Sequence, residues 1–184
     1  MQISTWQAAN ANDILQLFVD TFSDAEGAEE GAAIGELVAD LIETTHQNDL
    51  LGYIAFESNT TRDNIIGSIF FSRIRFETQR AINAFILSPV AVKTNHQGQG
   101  VGQQLIHYGI EQLKDQCVDL LFTYGDPRFY SKVGFTPISE ALIQAPLPLS
   151  QPEGWLCQSL DGSVIHSINS ASHCVDALRK PEHW

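Results

Sequence analysis

The sequence is poor in cysteine, in basic residues and in long apolar runs, and each shortage excludes a class of protein. Its three cysteines, Cys117, Cys157 and Cys174, are odd in number and widely separated, so they predict no disulfide framework. Ten Lys and Arg residues stand against 22 Asp and Glu, and the net charge of −12 argues against a nucleic-acid partner. No segment approaches the ~20 apolar residues that a membrane-spanning helix needs, so no membrane association is expected.

Signals for secretion and for metal binding are also missing. The start, Met1 to Trp6, lacks the basic and apolar segments of a secretory signal, and with the few cysteines this favours a cytoplasmic protein. His166, His173 and Cys174 lack the spacing of metal ligands, so no metal site is expected. A length of 184 residues with 43% hydrophobic residues predicts a single domain over 1–184.

The most informative segment is a strand, a glycine-rich turn and a helix start between Leu87 and Leu105. A β-branched run ends at Val92, and from Val101 onward apolar residues recur at helical spacing. Between them lie Gly98, Gly100 and Gly102. The first turn of a helix has unpaired N–H groups and partial positive charge, and glycines let an anion approach the backbone. The segment therefore predicts a phosphate or pyrophosphate site, with a tight connection lacking a ligand as the alternative.

Two common nucleotide-binding motifs do not fit this turn. The G-x-G-x-x-G pattern counted from Gly98 reaches Gln103, and counted from Gly100 it reaches Leu105. The G-x-x-x-x-G-K-[ST] pattern fails because no Gly-Lys pair occurs in the chain.

The turn instead resembles the Q/R-x-x-G-x-G/A loop of the GNAT superfamily of N-acetyltransferases. The resemblance implies that the loop holds the pyrophosphate of acetyl-coenzyme A (acetyl-CoA), through Gln97, Gly98, Gln99, Gly100, Val101 and Gly102. It also implies that the preceding strand offers backbone groups to the pantetheine arm at Val90, Ala91 and Val92. Because the three Gln side chains near the turn are neutral, binding is expected to rest on backbone N–H groups.

A second segment, Tyr124 to Phe135, is similar to the region that follows the fifth strand in this superfamily. Its Gly-Asp-Pro, together with the Ser-Pro-Val-Ala-Val run, looks most like the YhbS-type predicted acetyltransferases. The specific resemblance covers 81–135. By resemblance, Tyr130 is the general acid that protonates the departing thiolate, since a positioned phenol can supply a proton to a thiolate. The alternative is a tyrosine that only packs on the sheet.

Carboxylates are the candidates for contacts with the acceptor. Asp126 precedes Pro127, which is typical of a helix N-cap, although a base or acceptor contact is the other hypothesis. An acidic stretch before and within a predicted second helix lies where the superfamily builds its acceptor pocket, and Glu30 and Glu36 are the first choices there. A solvated loop and helix face is the alternative.

Periodicity predicts helices at Ala11–Phe22 and Ala32–Thr45, joined by a loop at Ser23–Gly31. Predicted strands follow, at Ile3–Gln7, Gly52–Glu57, Ile65–Arg75, Ala81–Val92 and Leu120–Tyr124. This order matches the GNAT acyl-CoA N-acyltransferase fold, an α/β (α+β) fold with a mixed, mostly antiparallel sheet flanked by helices. The tail, 138–184, is expected to add a last strand pair and part of the acceptor site or a homodimer contact.

The resulting hypothesis is direct transfer of an acetyl group from acetyl-CoA to a primary amine of an unidentified acceptor. Two alternatives remain open. One is an acyltransferase with a longer acyl donor or a hydroxyl acceptor, and the other is a non-catalytic module that senses acetyl-CoA.

Overall fold

A computed structural model describes residues 1–57, 64–79 and 81–184. The helices are α1 (Ala11–Glu26), α2 (Ala28–Thr44), α3 (Val101–Asp115) and α4 (Pro127–Tyr130). The strands are β1 (Gln2–Thr5), β2 (Leu50–Phe56), β3 (Ile65–Phe76), β4 (Ala84–Val92), β5 (Leu120–Tyr124), β6 (Thr136–Pro137), β7 (Trp155–Ser159) and β8 (Ser172–His173). Among these residues, no helix combines the length and the apolar character needed to cross a membrane.

The strands form a mixed sheet in the order β1-β2-β3-β4-β5-β7-β6, and β8 pairs with β3. Strand β4 pairs with β5 in parallel, whereas β1 with β2, β5 with β7, β6 with β7, and β3 with β8 are antiparallel. The predicted fold class, a mixed and mostly antiparallel sheet flanked by helices, is confirmed.

The chain divides into two compact units, and β3 and β4 each contribute residues to both. The first unit comprises Met1–Phe71 and Pro89–Gly109. In it, α1 and α2 form an antiparallel pair whose close approach depends on Gly35, where an added Cβ would lie 2.7 Å from Val19 Cγ2. Phe18 of α1 packs on Phe70 of β3, with ring centroids 6.2 Å apart.

The second unit comprises Ser72–Ser88 and Ile110–Trp184. Its core contains the stacked rings of Phe122 and Trp155, with centroids 5.0 Å apart. The indole N–H of Trp155 donates to the Ile143 carbonyl at 3.0 Å, and that of Trp184 donates to Leu178 at 2.7 Å. Each of these buried indoles is thus satisfied by a carbonyl of the C-terminal segment.

Most predicted elements are present with shifted ends, and one predicted loop is wrong. The segment predicted as a loop at Ser23–Gly31 is helical except at Gly27, because α1 continues to Glu26 and α2 begins at Ala28. Gly27 has φ +104°, a conformation that glycine accepts, so one residue makes the turn between the helices. Strand β5 lies where it was predicted. The tail contributes β7, which pairs with β5 and β6, and β8, which pairs with β3, instead of the strand pair of its own that was expected.

Candidate active site

The C-terminal half of β4 presents an open strand edge. The parallel register with β5 ends at Leu87–Thr123, although β4 continues to Val92. Over this extension burial alternates: Pro89 and Ala91 are buried, whereas Ser88, Val90 and Val92 are half-buried. Within the described residues, no register pair joins β5 to β4 beyond Leu87. The extension therefore offers backbone groups along one edge, where an extended ligand can bind as a further strand does.

The turn after β4 carries a run of unused N–H groups. Among the described residues, no N–H group from Gly98 to Gln103 makes a short, well-aligned hydrogen bond to a protein acceptor, and the first that does is that of Gln104, to Gly100 O at 3.0 Å. Gly98 and Gly100 have φ +72° and +81°. A backbone with such alternating conformations turns successive N–H groups toward one point and forms an anion-binding nest. The helix dipole of α3 adds partial positive charge there.

The two glutamine side chains of the turn bind the turn itself. Gln97 Nε2 donates to the Val92 carbonyl at 3.0 Å, and Gln99 Nε2 donates to the Asn95 carbonyl at 3.1 Å. Both side-chain amides are thus used to hold the loop in shape. The donors left for an anion are the backbone N–H groups, as the neutral composition of the turn suggested.

Neighbouring elements of the first unit hold the start of this loop. Lys93 N donates to Ile66 O of β3 at 2.9 Å, and Lys93 Nζ donates to Asn64 Oδ1 at 2.8 Å. Thr94 Oγ1 donates to Asp24 Oδ2 of α1 at 2.7 Å. These bonds fix the residues before the glycines, so that the loop keeps its shape without a ligand.

In the second unit, Tyr130 lies at the end of α4 among aromatic rings. The ring centroids of Phe129 and Phe135 lie 5.0 and 5.7 Å from that of Tyr130, both in edge-on geometry. Burial raises the pKa of the Tyr130 phenol, and a hydrogen bond with Thr123 partly opposes this shift. The phenol therefore keeps its proton at neutral pH, as a general acid must.

The Gly-Asp-Pro segment sets the position of that ring. An added Cβ at Gly125 would lie 2.7 Å from Tyr130 Cε2, so only a glycine fits beneath the ring. Asp126 is the N-cap of α4, accepting from Arg128 N at 2.9 Å, and Pro127 is the first helical residue. The predicted N-cap is confirmed. Hydrogen bonds and the ion pair with Arg128 lower the pKa of the Asp126 carboxyl, which makes it a weak base.

Comparison with known proteins identifies the family. The sequence model of the acetyltransferase (GNAT) domain matches residues 48–137. The uncharacterized N-acetyltransferase YjhQ of Escherichia coli is 30% identical over 173 residues, which cover 91% of this chain and 88% of that protein. The chain belongs to the GNAT acetyltransferase family. This confirms the resemblance found in the sequence and the expected enzyme class, an N-acetyltransferase.

Two solved GNAT structures share the fold. The N-acetyltransferase YhbS of Escherichia coli, crystallised with CoA, gives a TM-score of 0.81 at 22% identity and covers 97% of this chain and 92% of that one. An acetyltransferase of Brucella melitensis, crystallised with acetyl-CoA, gives a TM-score of 0.73 at 21% identity. This match covers 96% of this chain and 97% of that one. At these identities the likeness extends to the fold alone.

This GNAT chain brings the predicted cofactor residues together in its first unit. They form one continuous path from the β4 extension through the turn into α3: Val90, Ala91, Val92, Gln97, Gly98, Gln99, Gly100, Val101 and Gly102. Tyr130 and Asp126 lie together in the second unit. Glu30 and Glu36 are exposed on α2 and line none of the three described cavities. Within the described residues, no group of His, Cys, Asp and Glu has the arrangement of a metal site.

Sequence reasoning missed Thr123 and the role of Gly125. Thr123 is fully buried, and its hydroxyl donates to Leu87 O at 3.0 Å, at the last paired position of β4. A polar residue between Phe122 and Tyr124 in an otherwise apolar strand was the signal that could have found it. In the sequence, Gly125 was noted only as part of the Gly-Asp-Pro segment that resembles the family. Its contact with Tyr130 could not be predicted, because it depends on how α4 folds back.

Proposed function

We propose that this GNAT protein transfers the acetyl group of acetyl-CoA directly to a primary amine. The N–H groups of the turn from Gly98 to Gln103 carry this proposal, because they offer donors for a pyrophosphate and have no other described use. The open edge of β4 at Val90–Val92 supports an adjoining site for the amide groups of the pantetheine arm. A relative crystallised with CoA and another with acetyl-CoA share the fold, which favours this ligand.

Tyr130 donates the proton in the proposed reaction. The neutral amine nitrogen forms a bond to the thioester carbonyl carbon, the carbon–sulfur bond breaks, and the phenol protonates the departing sulfur. The nitrogen loses one proton to solvent as it becomes an amide, and the phenolate regains a proton from solvent. The raised pKa of Tyr130 makes the phenol a weak acid. A thiolate in the same desolvated surroundings has its own pKa raised, so the transfer remains feasible. The hydrogen bond with Thr123 opposes part of the rise in the pKa of Tyr130.

The buried cysteines support direct transfer over a route through an acyl-cysteine. Burial raises the pKa of the Cys157 thiol to about 12 and that of Cys174 to about 11. Since the thiolate is the nucleophilic form, both thiols are nearly inert at neutral pH. This argument covers Cys157 and Cys174 and not the exposed Cys117, and it favours an amine acceptor that attacks the thioester itself.

Contacts of the acceptor with Glu30, Glu36 and Asp126 stay predictions, as do the cytoplasmic location and the homodimer. Asp126 lines a cavity of about 440 Å3 in the second unit, together with Tyr124, Arg128 and residues of the C-terminal segment. Its engagement with Arg128 favours a supporting contact there over the role of a base.

The test is release of CoA thiol from acetyl-CoA in the presence of a panel of primary amines, with the acetylated product identified by mass spectrometry. Tyr130→Phe is expected to lower turnover by about 10²–10⁴-fold, the range for a general acid, with little change in CoA affinity. Tyr108→Phe, which removes a hydroxyl from the first unit, is the matched control and should leave turnover unchanged.

Unchanged turnover in Tyr130→Phe would remove Tyr130 from the mechanism. Turnover only with propionyl- or butyryl-CoA, or only with alcohols, would favour the acyltransferase alternative. Tight CoA binding without turnover on any amine or alcohol would favour the non-catalytic module.

A further inference from the structure

The end of β5 places two residues on one face of the sheet, next to the Tyr130 ring. Thr123 pairs with Leu156 of β7. Gly125 N donates to Gly154 O at 2.9 Å, which continues this ladder just past the last residue of β5. Side chains two positions apart on a strand point to the same face. The Tyr130 ring fills the space of a side chain at position 125, since an added Cβ there would lie 2.7 Å from its Cε2 and 3.7 Å from its Cζ. Thr123 therefore lies on the face of the strand that the ring covers.

The Thr123 hydroxyl connects the Tyr130 phenol to the neighbouring strand. It is fully buried, and it donates to Leu87 O of β4 at 3.0 Å. It also makes a hydrogen bond with the phenol of Tyr130. A hydroxyl has one donor proton and two acceptor lone pairs, so Thr123 can make both bonds at once. One side chain thus joins the phenol to the last residue of β4 that pairs with β5.

The apolar contacts of Tyr130 hold its ring but not its oxygen. Phe129 and Phe135 contact the ring in edge-on geometry, and Gly125 leaves room for it. Apolar packing is non-directional, whereas a hydrogen bond restricts both the distance and the angle at the atoms that it joins. Among the described residues, Thr123 makes the polar contact at the oxygen that carries the reactive proton.

We propose that Thr123 is a positioning residue that holds the Tyr130 oxygen in place for proton transfer. The contact itself belongs to the free protein, whereas its effect on turnover rests on the proposed acetyl transfer. In that reaction the phenol gives its proton to the departing sulfur, and Thr123 forms and breaks no covalent bond. A displacement of about 1 Å in a reacting group can lower the rate by about 10²-fold, so the loss of this one hydroxyl has a measurable effect.

Two substitutions separate the hydroxyl of Thr123 from its shape. Thr123→Val keeps the volume and removes the hydroxyl, and it is expected to lower kcat by about tenfold or more with little change in the KM for acetyl-CoA. Thr123→Ser keeps the hydroxyl and should restore most of the turnover. Thr123→Ala also removes the hydroxyl, and it gives the same test where valine prevents folding.

Thr136 provides the matched control. Its hydroxyl also donates to a carbonyl of a neighbouring strand, Cys157 O at 3.2 Å, and it lies in the same unit as Thr123. Thr136→Val should therefore leave kcat unchanged. In Thr123→Val/Tyr130→Phe, the valine should add little to the loss that Tyr130→Phe causes alone, because the hydroxyl acts through the phenol.

The contact is measured without CoA, by NMR of protein that is isotopically labelled at the Cζ atom of its four tyrosines. The Tyr130 signal is identified by its loss in Tyr130→Phe. Because Cζ carries the bonded oxygen, this signal is expected to shift in Thr123→Val. It should stay close to its original position in Thr123→Ser and in Thr136→Val.

A Tyr130 signal that does not respond to the loss of the Thr123 hydroxyl would overturn the contact. If turnover needs Tyr130, an unchanged kcat in Thr123→Val, or equal losses in Thr123→Val and Thr123→Ser, would overturn the positioning role. Additive losses in the double variant would overturn it as well. Failure of the proposed function gives a different result. A signal that shifts as expected, in a protein that acetylates no amine, keeps the contact and excludes both the transfer and the positioning role in it.

Discussion

The edge of the Tyr130 ring lies so close to Gly125 that a Cβ there would come within 2.7 Å of Tyr130 Cε2. Carbon atoms in contact are ordinarily ~3.5–4.0 Å apart, so Gly125→Ala must displace the ring by about 1 Å. A shift of that size in a reacting group can lower turnover by about 10²-fold. We expect Gly125→Ala to lower kcat and to leave CoA affinity unchanged.

The double variant Gly125→Ala/Tyr130→Phe separates this explanation from general damage. If Gly125 acts by placing the phenol, the alanine adds little to the loss already caused by Tyr130→Phe. Independent, additive losses in the two single variants would contradict the positioning role.

Tyr53 makes stability depend on alkaline pH. Burial, and to a smaller degree the charge of Tyr108, raises the pKa of Tyr53 to about 12. The folded state therefore keeps a proton that the unfolded chain loses near pH 10, and its stabilising effect is full below pH 10 and lost as pH rises toward 12. One such group changes the free energy of unfolding by up to about 1.4 kcal/mol per pH unit. When the free energy of unfolding is measured in urea between pH 10 and 12, it should fall less steeply with pH for Tyr53→Phe than for the unchanged protein. Equal slopes would contradict the shifted pKa.

The contact between α1 and α2 depends on the absence of a side chain at position 35. An added Cβ at Gly35 would lie 2.7 Å from Val19 Cγ2. Gly35→Leu is expected to destabilise the protein by about 1–3 kcal/mol, the usual cost of overpacking. Ala33→Leu, at an exposed position of the same helix, should stay within about 0.5 kcal/mol. Comparable unfolding free energies for the two variants would show that the helices separate without cost.

Gln97 is expected to act on ligand affinity only through the shape of the loop. Its side-chain amide bonds the Val92 carbonyl, and the loss of one such bond costs about 0.5–1.5 kcal/mol. Gln97→Ala should therefore raise the Kd for CoA by about 2- to 10-fold, with kcat nearly unchanged. Gln112→Ala, on α3 outside the loop, is the control. A Gln97→Ala variant with unaltered Kd would show that the loop holds its shape without the amide.

Local sequence signals predicted the parts of the site that are continuous in the chain. The turn from Gln97 to Gly102 needs only glycines between an apolar strand and an amphipathic helix, and Asp126 with Pro127 is a local capping signal. The acidic stretch at Ser23–Gly31 misled the prediction. Its charge suggested a loop, whereas Glu29 and Glu30 lie in the first turn of α2, where acidic residues favour a helix.

Contacts between distant parts of the chain could not be predicted from the sequence. The sequence does not show that β7 lies between β5 and β6 in the sheet, because strand order depends on pairing between segments that are far apart in the chain. The bond from Thr94 to Asp24 joins residues 70 positions apart.

The central claim is that the loop after β4 binds CoA through its backbone. The most direct test is titration calorimetry, in which CoA is added to the unchanged protein and to Gly100→Val. Gly100 has φ +81°, so valine distorts the nest; Gly162→Val imposes similar strain at φ +77°, away from the loop. The account predicts saturable binding that Gly162→Val retains and Gly100→Val loses, with the fold stabilised by ~2.7 kcal/mol at 100 times the Kd. No binding at millimolar CoA, or equal binding by folded Gly100→Val, would contradict it.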